Sequence, residues 1–154
     1  MAEDIYTVTR STTINAPAAD IYGRIVDLAN WVSWSPWEGL DPEMEKTYGD
    51  STEGPGATYS WSGNRKVGSG SMKITDVATD ERVSLDLSFL KPFKAENKTW
   101  FDLAADGDST NVTWTMTGAK TLMVKFMSLF STMDKMVGKD FEKGLAQLKA
   151  EAEA

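Results

Sequence analysis

The sequence has no histidine and no cysteine among its 154 residues. These absences exclude the Ser-His and Cys-His pairs that activate many nucleophiles, and they exclude the usual zinc and iron ligand sets. An acid or base in this chain would have to be an aspartate, a glutamate, a lysine or a tyrosine with a shifted pKa. We therefore expect a protein without disulfides, metal or cofactor.

Basic side chains are fewer than acidic ones: 16 Lys and Arg face 23 Asp and Glu, which gives a formal net charge of -7. A nucleic-acid-binding surface needs clustered positive charge, so nucleic acid is not an expected partner. Long hydrophobic runs are also missing, and none approaches the roughly 18 residues of a membrane span. The first residues, Met1 to Asp4, are acidic where a signal peptide would be basic. The sequence predicts a cytoplasmic protein that does not insert into membranes.

The length predicts one domain over residues 1–154, since a chain of this size buries roughly two-thirds of its unfolded surface. Hydrophobic residues make up 41% and charged residues 25%, as in an ordinary globular protein. The six tryptophans are unusual. Rings of this size suit either a thick core or the wall of a cavity.

Apolar and polar residues alternate in about seven segments between residues 4 and 116, which predicts strands. Short turn sequences separate most of them, so neighbouring strands should be antiparallel. A short helix is expected to begin near Pro17. From Leu122 to Leu148 apolar residues recur every three or four positions, which indicates a long amphipathic helix. A capping sequence at Ser131 predicts a break in it.

The segment between the short helix and the second strand contains Trp31, Trp34, Pro36, Trp37 and Pro42. No regular element of useful length accommodates this sequence, so we expect a short helix or an aromatic loop. Its tryptophans could form a lid over a cavity. They could equally be a plug of ordinary core, because aromatic residues serve both purposes.

The order of strand, two short helices, six strands and long terminal helix resembles the START-like (helix-grip) superfamily, in particular its bacterial polyketide cyclase/dehydrase and lipid-transport branch. Local sequence supports the resemblance at Ile14-Asn15-Ala16-Pro17, Trp31 to Pro36, Gly68-Ser69-Gly70, Thr113-Trp114-Thr115-Met116 and Phe141 to Leu145. The resemblance implies an α+β helix-grip fold. In that fold a curved antiparallel sheet of about seven strands closes around the C-terminal helix and leaves a cavity between them.

Strand and helix phases direct a set of large side chains towards this expected cavity. The predicted ligand-binding residues are Trp37, Tyr59, Trp61, Met72, Leu87, Asn97, Phe101, Trp114, Met116, Met123, Phe126, Met127 and Phe130. Methionines on the helix would adapt to varied apolar shapes, or would serve only as packing.

Few polar residues are candidates for a role in the cavity, and no catalytic residue can be assigned. Asn97 could orient a ligand carbonyl or hydroxyl, or could bond backbone or water at a strand end. Glu38 and Asp41 could reach the cavity mouth or be solvated loop acids. Arg65 could pair with an anionic ligand group, or keep a hairpin turn soluble.

The leading hypothesis is a binding protein that holds an apolar or aromatic small molecule, lipid or polyketide-like. It predicts an apolar cavity with one or two polar atoms. An alternative is a metal-free enzyme resembling polyketide cyclases and dehydrases, which predicts a buried carboxylate, lysine or tyrosine facing a cleft. A further alternative, resembling the chaperone activators of the superfamily, predicts a filled core and an exposed apolar patch.

Overall fold

A computed structural model of the protein describes residues 5–37, 41–64, 68–91, 95–119 and 127–154. Seven strands and three helical segments follow one another in the predicted order. They are β1 (Ile5–Ile14), α1 (Ala18–Val26), a 3-10 helix (Leu28–Ser33), β2 (Glu45–Tyr48), β3 (Thr58–Ser62), β4 (Ser69–Ala78), β5 (Arg82–Lys91), β6 (Ala95–Asp106), β7 (Ser109–Ala119) and α2 (Met127–Glu153). The arrangement confirms the expected α+β helix-grip fold.

The strands form one sheet with the order β1-β7-β6-β5-β4-β3-β2. Strands β2 to β7 lie side by side in chain order, each antiparallel to the next. Strand β1 takes the far edge and pairs with β7, from Ile5 opposite Ala119 to Ile14 opposite Thr110. Because side chains alternate between the two faces of a strand, this register fixes which residues share the concave, inner face.

Two short helical segments connect β1 to β2. Helix α1 follows Pro17 and buries Ile21 and Ile25, with which it packs against β5 and β6. The 3-10 helix is capped by Asp27, whose carboxylate accepts a hydrogen bond from the Ala29 N–H at 3.0 Å. The sequence predicts a short helix or an aromatic loop in this region, and the structure has a 3-10 helix there.

Helix α2 is continuous over its 27 residues, so the predicted break at Ser131 is wrong. A capping sequence ends a helix only where packing does not favour its continuation. Here the apolar repeat continues, and Phe141, Leu145 and Leu148 are buried against the rest of the protein. The expected start near Leu122 lies outside the described residues.

Polar contacts hold α2 in position over β1 and the 3-10 helix. Arg10 on β1 donates through Nε to Glu142 Oε2 at 3.0 Å. Gln147 donates through Nε2 to the Trp34 carbonyl at 2.6 Å. These contacts join the helix to the first strand and to the aromatic segment, and they place its buried side chains over one end of the sheet.

Candidate ligand-binding site

The register arranges inner-face residues in rows that run across the sheet. The middle row contains, in spatial order, Tyr59, Met72, Leu87, Asn97, Gly118 and Tyr6. To one side of it lies the closed end, with Val83, Phe101 and Trp114 in one row. To the other side lies the open end, with Trp61, Gly70 and Phe89 in one row.

Solvent exposure increases along the inner face from the closed end to the open end. Phe101 and Trp114 are 0% and 1% exposed, and Leu87 in the middle row is 7% exposed. At the open end Trp61 and Phe89 are only partly buried. The inner face is therefore filled with protein at one end and reaches solvent at the other.

The closed end is occupied by an aromatic cluster, which we define as Trp31, Trp34, Trp37, Phe101, Trp114 and Phe141. Trp114 is stacked between two rings, with Phe101 at 4.6 Å and Phe141 at 3.9 Å between centroids. Trp31 and Trp34 meet it edge-on, at 6.1 and 5.8 Å. Such contacts contribute beyond the area that the rings bury. Trp114, a predicted ligand-binding residue, has both ring faces covered by protein.

Each buried indole N–H in the aromatic cluster has an acceptor. Trp31 donates to the Ile25 carbonyl at 2.8 Å, and Trp34 donates to the Arg24 carbonyl at 3.0 Å. Trp114 donates to Thr99 Oγ1 at 2.9 Å. Buried and bonded in this way, Trp31 and Trp34 are core rather than lid.

Trp37 lies at the margin of the aromatic cluster. Its ring meets Trp114 edge-on at 5.8 Å, and its indole N–H donates to Asp140 Oδ2 on α2 at 3.3 Å. Burial raises the pKa of Asp140, against the smaller lowering effects of this hydrogen bond and of Lys143. The loop after the 3-10 helix is thereby joined to α2.

The open end has aromatic rings that protein does not fully cover. Trp61 is stacked on Tyr59 at 6.0 Å and meets Phe89 edge-on at the same distance. Its ring lies against Gly70, where a Cβ would be only 2.8 Å from a ring carbon. Because glycine has no side chain, the indole can lie close to β4. Tyr48 on the edge strand adds a further ring, 5.2 Å from Tyr59.

The middle row contains one polar pair, Tyr6 and Asn97, on either side of Gly118. The Tyr6 hydroxyl donates to Asn97 Oδ1 at 2.5 Å, passing over the strand between them. A Cβ at Gly118 would clash with both Asn97 Oδ1 and the Tyr6 hydroxyl, so the glycine is required for this hydrogen bond. Burial raises the pKa of Tyr6 to about 12.

The predicted site residues thus fall into two groups. Tyr59, Trp61, Met72, Leu87 and Asn97 lie together in the middle row and at the open end, and the structure adds Tyr6 and Phe89 to them. Phe101, Trp114 and Trp37 belong to the aromatic cluster, with Met116 buried in the row between that cluster and the middle row.

Other predicted residues cannot be placed in the site. Met123 and Phe126 lie outside the described residues, as do Glu38 and Arg65. Met127 and Phe130 lie in the first turn of α2, where the backbone alone is described. Asp41 has a structural role, because its carboxylate accepts hydrogen bonds from the N–H groups of Glu43 and Asn64 at 2.9 and 2.8 Å.

Three residues of the middle row and the open end are missing from the sequence prediction. Two of them could have been found from the sequence pattern, and one could not. Tyr6 shares the strand phase of Val8, and Phe89 shares that of Leu87, so both could have been assigned to the inner face. Gly118 had no such signal, because a close approach across a strand depends on the register of three strands.

Ionisable groups are sparse in the interior. The buried polar residues in the described part of the chain are Ser35, Asn97, Thr99, Thr110 and Thr115, none of them a carboxylate or a lysine. Across the same ranges, no three acidic side chains come together as a metal site would need. No helix described here has the length and apolar character to cross a membrane.

A curved seven-stranded antiparallel sheet closed over a long C-terminal helix defines the helix-grip fold of START-like proteins. The sequence matches the family model for polyketide cyclase / dehydrase and lipid transport over residues 6–153. The protein belongs to this family, which confirms the resemblance seen in the sequence. No curated protein matches the chain.

Solved structures share the fold at low sequence identity. The di-domain ARO/CYC BexL of the BE-7585A biosynthetic pathway superposes with a TM-score of 0.73 at 17% identity, over 99% of this chain and 51% of that one. A protein from Thermobifida fusca gives 0.70 at 20% identity, over 93% of this chain and 90% of that one. A protein from Chromobacterium violaceum superposes with a TM-score of 0.69 at 13% identity, over 96% of this chain and 98% of that one.

Proposed function

We propose that the protein binds an apolar or aromatic small molecule, lipid or polyketide-like, between the inner face of the sheet and the C-terminal helix. The observation that carries this proposal is that Trp61 and Phe89 at the open end, with Tyr59 beside them in the middle row, are only partly covered by protein. Elsewhere on the same face the large rings are enclosed. A ligand at the open end would complete the burial that the aromatic cluster achieves by itself.

The family supports the proposed ligand class, since its description joins polyketide cyclases and dehydrases with lipid transport. BexL, which shares the fold, is an ARO/CYC protein of a biosynthetic pathway. We propose that the ligand lies along the middle row, over Met72 and Leu87, with its outer end against Trp61. The cytoplasm, predicted from the sequence, is the proposed compartment.

Apolar contact alone would give a moderate affinity. Burying roughly 300 Å² of ligand surface at about 25 cal/mol per Å² contributes roughly 7.5 kcal/mol. The entropy of association opposes this gain, so micromolar binding requires both good ring contact and some polar complementarity.

A matched pair of tryptophan variants tests the proposal. Titration with the neutral dye N-phenyl-1-naphthylamine should show saturable binding to the native protein, with enhanced dye fluorescence. Trp61→Ala should weaken binding about tenfold, because it removes a ring that borders the ligand. Trp100→Ala is the control: Trp100 lies on the outer face of β6, where the Arg82 guanidinium lies 5.2 Å from its ring centre. No saturable binding, or equal weakening by both variants, would contradict a site on the inner face.

One observation favours a second candidate, a cyclase-like enzyme. The Tyr6 phenol lies on the inner face, and burial raises its pKa to about 12, so it stays protonated. A cyclase-like role would require its proton to turn from Asn97 Oδ1 to a developing oxyanion. The protonated phenol is a poor base, and the described interior has no buried carboxylate to take that role. Binding without turnover is the function that these residues support best.

A further inference from the structure

In the part of the chain that the structure describes, the side-chain amide of Asn97 has a hydrogen-bond partner for its oxygen but not for its nitrogen. Its oxygen accepts the hydrogen bond from Tyr6, across Gly118. Its nitrogen, at the other end of the planar amide, donates to no group within the described residues. Asn97 is 6% exposed, and its neighbours on one side in the middle row, Leu87 and Met72, are apolar.

The Asn97 nitrogen borders accessible space and not packed protein. No fully enclosed side-chain nitrogen or oxygen in the described part of the chain is without a partner. The Asn97 nitrogen, which has no acceptor there, is therefore not fully enclosed, and its side chain lies on the inner face. Its neighbour in the middle row is Leu87 on β5, with Met72 beyond it. These are the residues over which the proposed ligand lies.

We propose that the Asn97 amide nitrogen is the polar anchor of the site, and that the ligand is an apolar molecule with a carbonyl oxygen that accepts this hydrogen bond. This inference rests on the proposed function. Tyr6 is a positioning residue: its hydroxyl occupies the amide oxygen, so the amide presents a donor to the ligand. A buried donor discriminates strongly, because a ligand without an acceptor leaves it unpaired.

The direction of the Tyr6–Asn97 hydrogen bond, with Tyr6 as donor, stays the same over the whole physiological pH range. Burial raises the pKa of Tyr6 to about 12, so the hydroxyl stays protonated and continues to donate to the Asn97 amide oxygen. Gly118 has an equally specific part, since any side chain there would separate the two groups. The three strands together therefore fix the direction in which Asn97 donates.

Two probes of the same shape test the anchor. Fluorene and 9-fluorenone share one ring system and differ in a methylene and a carbonyl group. Equilibrium dialysis should show that the native protein binds 9-fluorenone about tenfold more tightly than fluorene. The carbonyl stretching band of bound 9-fluorenone should move to lower frequency, as for any hydrogen-bonded ketone. In Asn97→Leu the preference and the band shift should both disappear, while fluorene binding is retained.

A second variant separates a lost anchor from a damaged fold. Asn97→Leu removes one member of the Tyr6–Asn97 hydrogen bond, whereas the double variant Tyr6→Phe/Asn97→Leu removes both members of it. The double variant should fold, bind fluorene and show no preference for the ketone. Asn111→Leu is the control: Asn111 is exposed on β7, where it accepts from Thr13 Oγ1, and its replacement should change neither affinity.

The outcomes distinguish the anchor from the site itself. Saturable binding of both probes with equal affinity in the native protein overturns the anchor and leaves the proposed function in place. A ketone preference that persists in the double variant also overturns it. Tighter binding of 9-fluorenol than of 9-fluorenone would also overturn it, because the site would then favour a ligand that donates a hydrogen bond. If neither fluorene nor 9-fluorenone binds saturably, the proposed function fails, and the anchor with it.

Discussion

The two ends of the inner face use the same kinds of residue in opposite ways. At the closed end six aromatic rings pack against each other, and each buried indole N–H has an acceptor within the protein. Towards the open end Trp61 contacts Tyr59 and Phe89, and all three rings remain partly uncovered. Aromatic content alone therefore does not mark a binding site. The two ends differ in how far protein covers their rings.

The largest expected difference between the two ends is in stability. Trp114→Ala removes a ring stacked on both faces and should lower the free energy of unfolding by about 3–5 kcal/mol. Trp61→Ala removes a partly exposed ring and should cost about 1 kcal/mol. Urea denaturation followed by circular dichroism measures both. Similar losses would show that the open end is packed as tightly as the closed end.

A smaller effect is expected from the polar support of the aromatic cluster. Thr99 accepts from the Trp114 indole and donates to the Thr115 carbonyl at 2.7 Å. Thr99→Val keeps the shape and removes both bonds, which should cost about 1–3 kcal/mol of unfolding free energy. Thr113→Val, on the outer face of β7, should change stability by less than about 0.5 kcal/mol. Equal effects of the two variants would mean that the indole N–H finds another partner.

The smallest predicted effect is a pH dependence at the margin of the aromatic cluster. Because burial raises the pKa of Asp140 in the folded protein, ionisation costs stability as pH rises from the unfolded pKa of about 3.9 through the higher folded value. Asp140→Asn should therefore raise Tm slightly at about pH 7 and have almost no effect at about pH 3.

Asp50→Asn, at an exposed aspartate, corrects for the loss of one negative charge. A stabilising effect of Asp140→Asn that is equal at both pH values, or that matches Asp50→Asn, would show that burial of this carboxyl has no influence. Thermal unfolding followed by circular dichroism is sufficient for the comparison.

Much of the fold followed from sequence periodicity. Strand phases correctly placed Trp61, Phe101 and Trp114 on one face, because alternation is a local property. What each ring packs against is not local. The stacking of Phe141 on Trp114 depends on where α2 lies over the sheet, which no repeat in the helix encodes.

Non-local contacts also decide whether the tryptophan segment is a lid or part of the core, which the sequence leaves open. Trp31 and Trp34 became core because their indoles reach carbonyls of α1, at Ile25 and Arg24. Those carbonyls lie in the last turn of α1, where no further helical N–H bonds them, and the tryptophans reach them because the 3-10 helix packs against α1. The break wrongly predicted at Ser131 shows the converse, where a local capping signal was outweighed by packing along the rest of α2.

The pairing of β1 with β7 has a consequence for how the site is assembled. The Tyr6–Asn97 hydrogen bond joins residues 91 positions apart, across a strand that is the last of the sheet to be synthesised. Contacts this distant in sequence close large loops and form late in folding. Until β1 docks, β7 is an unpaired edge open to strands of other molecules. Completion of the polar pair therefore coincides with the step that protects the folding chain from aggregation.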